Sequence, residues 1–511
     1  MGILDEFNPT RHGWSFVNWG EANDFGWDLY RRTYLAVNPT NDPIASPLDV
    51  AFFQIFKGCA ANGNCGGMSM LALALFKYGG YMGYCSPPSF YAPANMSDHQ
   101  QPARADLHEA VNIMQARQFS AAGIRNFLDV VKAGQLNDGV AAWNRVRSGL
   151  GSGDYCMLSL SNGVFGDAAH TIIPYRADMS GSAYVLHVWD PNRPYAWFPE
   201  HYDGDHNKIV ITGPTSWTYD QNAGGLFSDG TVYDGSKSGW CFAIPTSLEV
   251  HKGRQPISAG FILTGLVTLF VSGVGAAVTQ LEDDKGRRLY TSDRRHRSRD
   301  DLETSSERRL PGVAPWPWPG GLAGDLPGEL FFLERPPGSS PLHVSVQGDE
   351  YHLVHLSSGH LTELTAGRAA ANAKDRVRLE GSSDDDQSVM VSTSAARRRI
   401  DVHHLRYGTP GAWRSVRVRN ALVTTDRLRV HAPVAFDAVE ISGTTARRHV
   451  DIELRRYNGR TLAERNLKQQ RVLAGETLRT APDWERLARS KVEQVRSKTD
   501  LGGVMPGRGR V

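Results

Sequence analysis

The sequence predicts a mixed α+β protein in which helices come first, antiparallel strands follow, and a long β-rich region forms the C-terminal half. Between residues 65 and 148, apolar side chains recur at helical spacing. From residue 155 the pattern changes to alternation, and strand-like runs separated by turn residues continue to about residue 455. A chain of 511 residues is too long for one typical domain, so two to four are expected.

We expect one domain in the N-terminal half and one or two all-β sandwich domains after it. The expected segments are residues 1–250 with an aromatic-rich lead-in over 1–50, a first sandwich at 251–400 with a Pro/Gly/Arg-rich insertion at 291–329, a second sandwich with a terminal helix at 401–497, and a disordered basic tail at 498–511. These boundaries follow changes in composition along the chain.

The elements of the N-terminal half follow from the two periodicities. Helices are predicted at 24–34, 65–78, 107–116, 121–132 and 137–148. Strands are predicted at 155–160, 169–175, 184–189, 209–211 and 240–244. Helices therefore precede strands within one unit of roughly 200 residues, which is the order expected of an α+β domain.

Short apolar or alternating runs indicate further strands beyond residue 255, and a last helix is predicted at Trp484–Ser497. The runs lie at 330–333, 342–346, 351–356, 388–392, 400–404, 416–418, 428–430, 438–441 and 450–455. The stretch Ile257–Val278 is also long and apolar enough to cross a bilayer. Glycines and hydroxyl side chains interrupt it and a turn follows at Asp284-Lys285-Gly286, so we prefer buried strands and keep a membrane span as the alternative.

Composition narrows the function classes. The formal net charge is only +2, so no global field favours nucleic acid or a membrane, and the arginines that concentrate after residue 286 are interpreted as solvated faces. Five cysteines at irregular spacing are not a disulfide scaffold. The N-terminus has no cleavable signal peptide pattern, so we expect a cytoplasmic protein or one exported by a non-classical route. No metal-ligand set, phosphate-binding loop or dinucleotide fingerprint is visible, so no cofactor is expected.

One stretch carries the features of a catalytic nucleophile. Cys65 follows a turn rich in Gly and Asn and begins a predicted helix that ends at Gly79. The unpaired amides and the dipole at a helix N-terminus favour a thiolate. Cys65 is therefore our candidate nucleophile, with a buried structural cysteine as the alternative.

A cysteine nucleophile needs a base, and the base needs a group that orients it. His170 begins a predicted strand, and Asp190 ends the next one, 20 residues later. Adjacent antiparallel strands of this length would bring the two side by side. Asn192, in the turn Asp190-Pro191-Asn192, is the second candidate for the orienting role.

These three motifs in this order resemble the papain-like cysteine peptidases. The segments Gly63-Asn64-Cys65-Gly66-Gly67-Met68, His170-Thr171-Ile172-Ile173-Pro174-Tyr175 and Val188-Trp189-Asp190-Pro191-Asn192 are similar to a bacterial branch of that superfamily, and the resemblance covers about residues 45–250. It implies a helical lobe joined to an antiparallel β lobe, a Cys-His-Asp triad, a thioester acyl-enzyme, and a peptide or protein substrate.

The chain departs from the better-known papain pattern at two positions. Cys59 stands six residues before the nucleophile, where papain-type enzymes carry the glutamine that helps to hold the oxyanion, and Gly66 replaces the usual aromatic residue. The donors that would stabilise the oxyanion are therefore unassigned. The candidates are the Cys65 amide and the side chains of Asn64, Asn62 and Gln54.

Two other functions stay open from the sequence. One is an inert papain-like scaffold in a structural, adhesive or delivery protein. The other is acyl transfer, in which an amine replaces water and cross-links the substrate. The β-rich half is expected to position or deliver the first domain, and it offers a surface for a protein partner.

Overall fold

The computed structural model is a mixed α+β protein with antiparallel sheets, as the sequence predicts. It describes residues 2–496 except 4–6, 21–24, 35–48, 50–51, 54–62, 98, 163–168, 226–229, 238, 248–265, 273–275, 284–285, 287, 292–312, 317–327, 335–340, 358–359, 370–372, 381–385, 408–411, 425, 434 and 444–447. Among these residues the helices are α1 Pro9–His12, α2 Trp27–Thr33, α3 Cys65–Tyr78, α4 Ala105–Arg117, α5 Ala121–Lys132, α6 Gly139–Ser152 and α7 Pro199–Asp203.

The strands number 26 in the described part of the chain. The first eight are β1 Gly2–Ile3, β2 Cys156–Leu160, β3 His170–Ser180, β4 Ala183–Trp189, β5 Lys208–Gly213, β6 Ser216–Asp220, β7 Val232–Asp234 and β8 Cys241–Pro245. The others are β9 Leu266–Ser272, β10 Ala277–Asp283, β11 Arg288–Thr291, β12 Val313–Trp316, β13 Gly328–Glu334, β14 Leu342–Gln347, β15 Tyr351–Ser357, β16 His360–Ala366, β17 Lys374–Glu380, β18 Gln387–Thr393, β19 Arg398–Tyr407, β20 Ala412–Val423, β21 Arg427–Ala432, β22 Val439–Ser442, β23 Arg448–Asn458, β24 Leu462–Val472, β25 Glu476–Ala481 and β26 Lys491–Arg496.

The chain divides into two compact units at boundaries that differ from the expected ones. The first unit comprises 1–277, 292–336 and 356–358, and the second comprises 278–291, 337–355 and 359–511. The expected boundary at 400/401 falls inside β19, and strands from both sides of it are hydrogen-bonded neighbours in one sheet. The expected segments stay a prediction, because turn residues occur between strands within a domain as well as between domains.

In the first unit, α3 packs against α4 and β3. Ten consecutive residues of α3, Gly66 to Leu75, are buried, so the helix is apolar all round, as expected of a core helix. Gly79 ends it in a left-handed conformation, with φ of 67°. The predicted helix that begins at Cys65 is therefore confirmed at both ends.

The sheet of the first unit runs in the order β7-β6-β5-β4-β3-β2-β8, and β1 also pairs with β3. Every pairing in it is antiparallel. The register sets Leu160 opposite His170 and Trp189 opposite Ile173. Asp190, one residue past β4, therefore comes level with Ile172, close to the beginning of β3.

The lead-in between Gly13 and Trp19 ties the helix of Cys65 to the end of β4. The Trp14 indole donates to the carbonyl of Met68, 2.9 Å away. The Asn18 amide donates to the carbonyl of Pro191, 2.9 Å away, and its side-chain Oδ1 accepts from the Asn64 amide at 2.7 Å. This segment thus holds both halves of the candidate site.

In the second unit, two sets of antiparallel strands carry the buried apolar rows. One runs in the order β11-β10-β14-β17-β18-β21-β22-β25-β26, and the other in the order β15-β16-β19-β20-β23-β24. Asp284 and Lys285 of the predicted turn lie outside the described residues; the Gly286 amide donates to the Asp283 carbonyl, and β10 and β11 pair in antiparallel register. In the first unit β9 pairs with β13, which in turn pairs with β12.

The predicted terminal helix at Trp484–Ser497 is wrong. A single 3₁₀ turn at Leu487–Arg489 precedes β26, which pairs with β25 in antiparallel register. Lys491 to Arg496 contain two β-branched residues, Val492 and Val495, and pairing in the sheet outweighs the helix propensity of the Glu and Arg side chains.

Within Ile257–Val278, the preferred strand is confirmed at Leu266–Ser272, and β10 begins at Ala277. Residues 257–265 and the predicted tail at 498–511 lie outside the described residues. No helix among the described residues has the length and apolar character that crossing a membrane requires.

Gly67 allows α3 and α4 to approach closely, and its replacement gives a first test of the fold. A Cβ atom at this position would overlap the Val111 carbonyl and the Gln115 backbone of α4. We expect Gly67→Ala to lower the free energy of unfolding by on the order of 1–3 kcal/mol, measured by urea titration. Gly151→Ala, in α6 with open space around it, is the matched control and should not destabilise. Equal stabilities of the two variants would contradict this packing.

Candidate active site

Cys65 lies at the N-terminal end of α3, where the preceding turn shapes its surroundings. Gly63 has φ of 117°, a conformation that a residue with a side chain rarely adopts. Asn64 is the N-cap residue and is buried. Cys65 as a residue is partly exposed.

The amides that follow Cys65 have different partners. The Gly67 amide donates to Oε1 of Gln115 on α4 at 2.7 Å, and the Met68 amide donates to the Asn64 carbonyl at 2.9 Å. The amides of Cys65 and Gly66 precede these two in the first turn of the helix. They carry the positive end of the helix dipole toward the sulfur.

His170 begins β3 directly beside this helix terminus. The interaction with the His170 imidazole lowers the pKa of the Cys65 thiol. Interactions with the backbone and side chain of Thr171 lower the same pKa. The Ser69 hydroxyl, one turn into α3, donates to the Thr171 carbonyl at 3.2 Å and ties the helix to the strand. His170 and Thr171 therefore both favour the ionised form of the Cys65 sulfur.

Asp190 holds the other side of the imidazole. Nε2 of His170 and Oδ1 of Asp190 are 2.6 Å apart, with the two side chains 3% and 0% exposed. An ionised carboxylate can only accept, so Nε2 carries the hydrogen and donates it. Nδ1 is then the ring atom that faces the thiol.

Three further donors converge on the Asp190 carboxylate. The Asn192 amide donates to Oδ1 at 2.7 Å. The Tyr219 hydroxyl and the Gln221 side-chain amide donate to Oδ2 at 2.6 and 2.7 Å. With His170, four hydrogen bonds compensate the cost of burying this charge.

Aromatic rings shield the pair from water. The Tyr233 ring stacks on the His170 imidazole with centroids 6.0 Å apart and an interplanar angle of 16°. The same ring stacks on Tyr219 at 6.0 Å and 17°. The Tyr202 hydroxyl accepts from the Asp190 amide at 3.2 Å, which fixes the backbone at the end of β4.

These contacts favour the charged form of each of the three residues, Cys65, His170 and Asp190. Burial alone would lower the pKa of His170, but the Asp190 charge and the hydrogen bonds to Asp190 and Cys65 outweigh it and raise the pKa to about 10. Burial opposes ionisation of Cys65, yet the hydrogen bond and charge of His170, with Thr171, lower its pKa. Burial would likewise raise the pKa of Asp190, and His170 and the other donors hold it below its usual value. The arrangement favours a thiolate–imidazolium pair.

The structure brings Cys65, His170 and Asp190 together, as the strand and helix pattern predicts. Asn192, the second orienting candidate, contributes its backbone amide to Asp190. The Asn64 side chain donates to the Trp19 carbonyl at 3.2 Å, so it anchors the turn. Asn62 and Gln54 lie outside the described residues.

Four residues of the site escaped the sequence reasoning: Asn18, Thr171, Tyr219 and Gln221. Tyr219 lies on β6, which was not predicted, although Ser216 to Asp220 alternate polar and aromatic residues. Thr171 is adjacent to the candidate base, which was a usable signal. Nothing near Asn18 in the sequence indicates that it contacts residues 46 and 173 positions away.

Two other cysteines offer a contrast. Cys156 and Cys241 are buried and free, and burial raises the pKa of Cys156 to about 12 and that of Cys241 still further. A raised pKa makes a thiol inert at neutral pH. Cys85 is free and exposed. Cys65, by contrast, is partly exposed and has a lowered pKa.

Comparison with known proteins adds no relative, since no family model, curated protein or solved structure matches the chain.

Proposed function

We propose that the first unit is a cysteine-dependent hydrolase that cleaves amide bonds of peptides or proteins through Cys65, His170 and Asp190. The observation that carries the proposal is the buried His170–Asp190 pair, 2.6 Å apart, whose imidazole lowers the pKa of the thiol of the partly exposed Cys65 at a helix N-terminus. A structural cysteine has no need of a lowered pKa, a charged base and access to solvent at once.

In the proposed reaction, the Cys65 thiolate attacks the carbonyl carbon of the scissile amide and forms a carbon–sulfur bond. The electron pair of the carbonyl moves to its oxygen, and the tetrahedral oxyanion then collapses as the carbon–nitrogen bond breaks. The His170 imidazolium gives its proton to the leaving nitrogen, and the resulting neutral imidazole activates a water that hydrolyses the thioester. Asp190 holds the ring so that Nδ1 faces the reacting atoms.

The oxyanion needs donors aimed at the place where its charge develops. The Cys65 and Gly66 amides at the start of α3 are the backbone candidates. Asn18 is the side-chain candidate that the fold adds to those expected, because it contacts the turn residues Gly63 and Asn64 that precede Cys65. Its Oδ1 is held by the Asn64 amide, which leaves the NH₂ group to donate. The Asn64 side chain, one of the expected donors, is bonded to the Trp19 carbonyl instead.

The pH dependence of labelling tests the proposal. Because the pKa of Cys65 is lowered, iodoacetamide should alkylate Cys65 at a pH where an ordinary thiol is still protonated. Exposed Cys85 is the internal reference, and peptide mass spectrometry reports both sites in one sample. Labelling of Cys85 ahead of Cys65 at pH 6 would contradict the thiolate–imidazolium pair.

The pH dependence of kcat tests the other half of the thiolate–imidazolium pair, the His170 imidazolium. Protonation of the leaving nitrogen requires the imidazolium, whose pKa is raised to about 10, so kcat for a peptide amide should fall only as pH rises through about 10. The acid limb follows the thiol pKa and should lie below that of a free cysteine. The mass of the product distinguishes hydrolysis from acyl transfer, since hydrolysis adds water and transfer adds the acceptor amine.

A further inference from the structure

A small cavity lies between α5 and the strands β2 and β8 of the first unit. Its volume is 40 Å³, and both apolar and polar side chains line it. The apolar ones include Phe127, Trp240 and Phe242, and the polar ones are Gln118, Asn126 and Ser159. The reaction proposed for Cys65 makes no use of these side chains.

The register of the sheet puts one side of the cavity next to β3. Ser159 is opposite Phe242 on β8 and opposite Thr171 on β3. Residues paired across antiparallel strands share a face of the sheet, so these three side chains lie on the same face. Thr171 is also one of the residues that lower the pKa of the Cys65 thiol. The strand side of the cavity therefore lies next to a residue that interacts with the nucleophile.

Gln118 brings the cavity to the start of α3. Its side-chain amide packs against Gly66, the residue after Cys65, so closely that a Cβ atom at Gly66 would lie 2.0 Å from Nε2. Only a glycine at position 66 permits this approach. Gln118 and Ser159 together place the cavity beside the Cys65 end of α3.

A chain of hydrogen bonds fixes the orientation of the Gln118 amide. The Gly67 amide donates to Oε1 of Gln115 at 2.7 Å, so that atom is the oxygen of its side chain. Nε2 of Gln118 donates to the same oxygen at 3.1 Å and to the Gln115 carbonyl at 3.3 Å. Both hydrogens of this NH₂ group are therefore used. Oε1 of Gln118 remains as an acceptor, and no donor among the described residues is bonded to it.

The other two polar side chains of the lining are also available to a ligand. Neither the Ser159 hydroxyl nor the Asn126 side-chain amide has a hydrogen-bond partner in the part of the chain that the structure describes. Ser159 is only 9% exposed, and polar groups that are buried to this extent are normally paired. A few polar groups among apolar walls are typical of a ligand subsite, in which the ligand supplies the missing partner.

We infer that this cavity holds a serine or threonine side chain of the substrate, close to the bond that Cys65 attacks. The inference rests on the proposed function of the first unit. The cavity has room for roughly three water-sized groups, which suits these side chains and excludes those of leucine, lysine and phenylalanine. A hydroxyl group both donates and accepts, so it donates to Oε1 of Gln118 and accepts from Asn126 or Ser159.

An alanine side chain would enter the cavity but would leave its polar groups without partners. Subsites that are built to bind a hydroxyl group discriminate against the analogue that lacks it for this reason. A larger side chain would not fit without displacing the walls. The cavity therefore selects by both size and hydrogen bonding.

Cleavage of a peptide library by the full chain, with the products identified by mass spectrometry, tests the inference. We expect serine and threonine to be enriched over alanine at one position close to the cut, and leucine, lysine and phenylalanine to be depleted there. Synthetic peptides that differ only at this position then give kcat/KM. Its value should be at least tenfold higher for serine than for alanine or leucine.

Ser159→Ala removes one polar group of the cavity and leaves the walls in place. It should lower the serine-to-alanine ratio of kcat/KM severalfold. Simple destabilisation does not move this ratio, because a smaller folded fraction lowers both rates equally. Ser216→Ala, at an exposed position of β6, is the matched control and should leave the ratio unchanged.

The outcomes separate this inference from the proposed function. Cleavage that depends on Cys65 but shows no preference for serine or threonine near the cut would overturn the inference and leave the proposed function standing. An unchanged ratio in Ser159→Ala would overturn it as well. If the unaltered protein neither cleaves the library nor reacts with a peptidyl electrophile, the proposed function is refuted, and the inference falls with it.

Discussion

Cys65→Ala is expected to abolish amide hydrolysis, with a fall in kcat of roughly 10⁶-fold if Cys65 is the nucleophile. The Cys65 sulfur is the atom that would form the acyl bond, and alanine offers nothing in its place. Hydrolysis of a peptide library, followed by mass spectrometry, measures the effect. The same variant should lose labelling by a peptidyl electrophile such as a vinyl sulfone.

The control for this experiment is Cys85→Ala, which removes another accessible thiol and should leave both readouts unchanged. A thermal melt of Cys65→Ala should match the parent closely, because the residue lost is small and partly exposed. Hydrolysis retained by Cys65→Ala would refute the proposed function. Absence of both turnover and labelling in the unaltered protein would support the inert-scaffold alternative.

The second large effect is expected for Asp190→Asn, with a fall in kcat of up to roughly 10⁴-fold. Four donors point at the Asp190 carboxylate, and an asparagine can accept at only one of its two positions. If its NH₂ group faced His170, the ring proton would move to Nδ1, which must receive the thiol proton. If it faced Gln221, that side chain would have to turn, and its Oε1 already holds the Thr231 amide at 3.0 Å.

Either orientation also removes the charge that raises the pKa of His170. The imidazolium should then lose its proton at lower pH, so the alkaline limb of the kcat profile should move down from about 10. This shift separates a positioning role from a purely structural one, since simple destabilisation lowers the active fraction without moving the limb. Asp203→Asn, an exposed carboxylate in α7, is the matched control. An unmoved limb would count against Asp190 as the orienting group.

The sequence was sufficient to predict the elements that carry the triad. Helix α3 is apolar over two full turns and begins with glycines after a turn, so both its type and its start were readable. The proximity of His170 and Asp190 follows from one hairpin, β3 and β4, whose turn is short enough for their strand patterns to specify the pairing. Contacts between neighbours in the sequence are the ones that periodicity can predict.

The surroundings of the triad could not be read in the same way. Tyr219 and Gln221 reach Asp190 from 29 and 31 residues away, through a strand only five residues long. Asn18 reaches the turn after β4 from the other end of the unit. Such contacts depend on the order in which strands pair across the sheet. The alternation of residues along one strand does not specify that order. The error at β26 has the same origin, since only its pairing with β25 makes those residues extended.

The long reach of these contacts affects how the protein is made. Strand β2, which pairs with the strand of His170, is bounded on its other side by β8, so this part of the sheet is complete only once residues 241–245 have been synthesised. Until then, a nascent chain that already carries Cys65 lacks the folded partner that would ionise it. Translation therefore separates the synthesis of Cys65 from completion of this part of the sheet by about 180 residues.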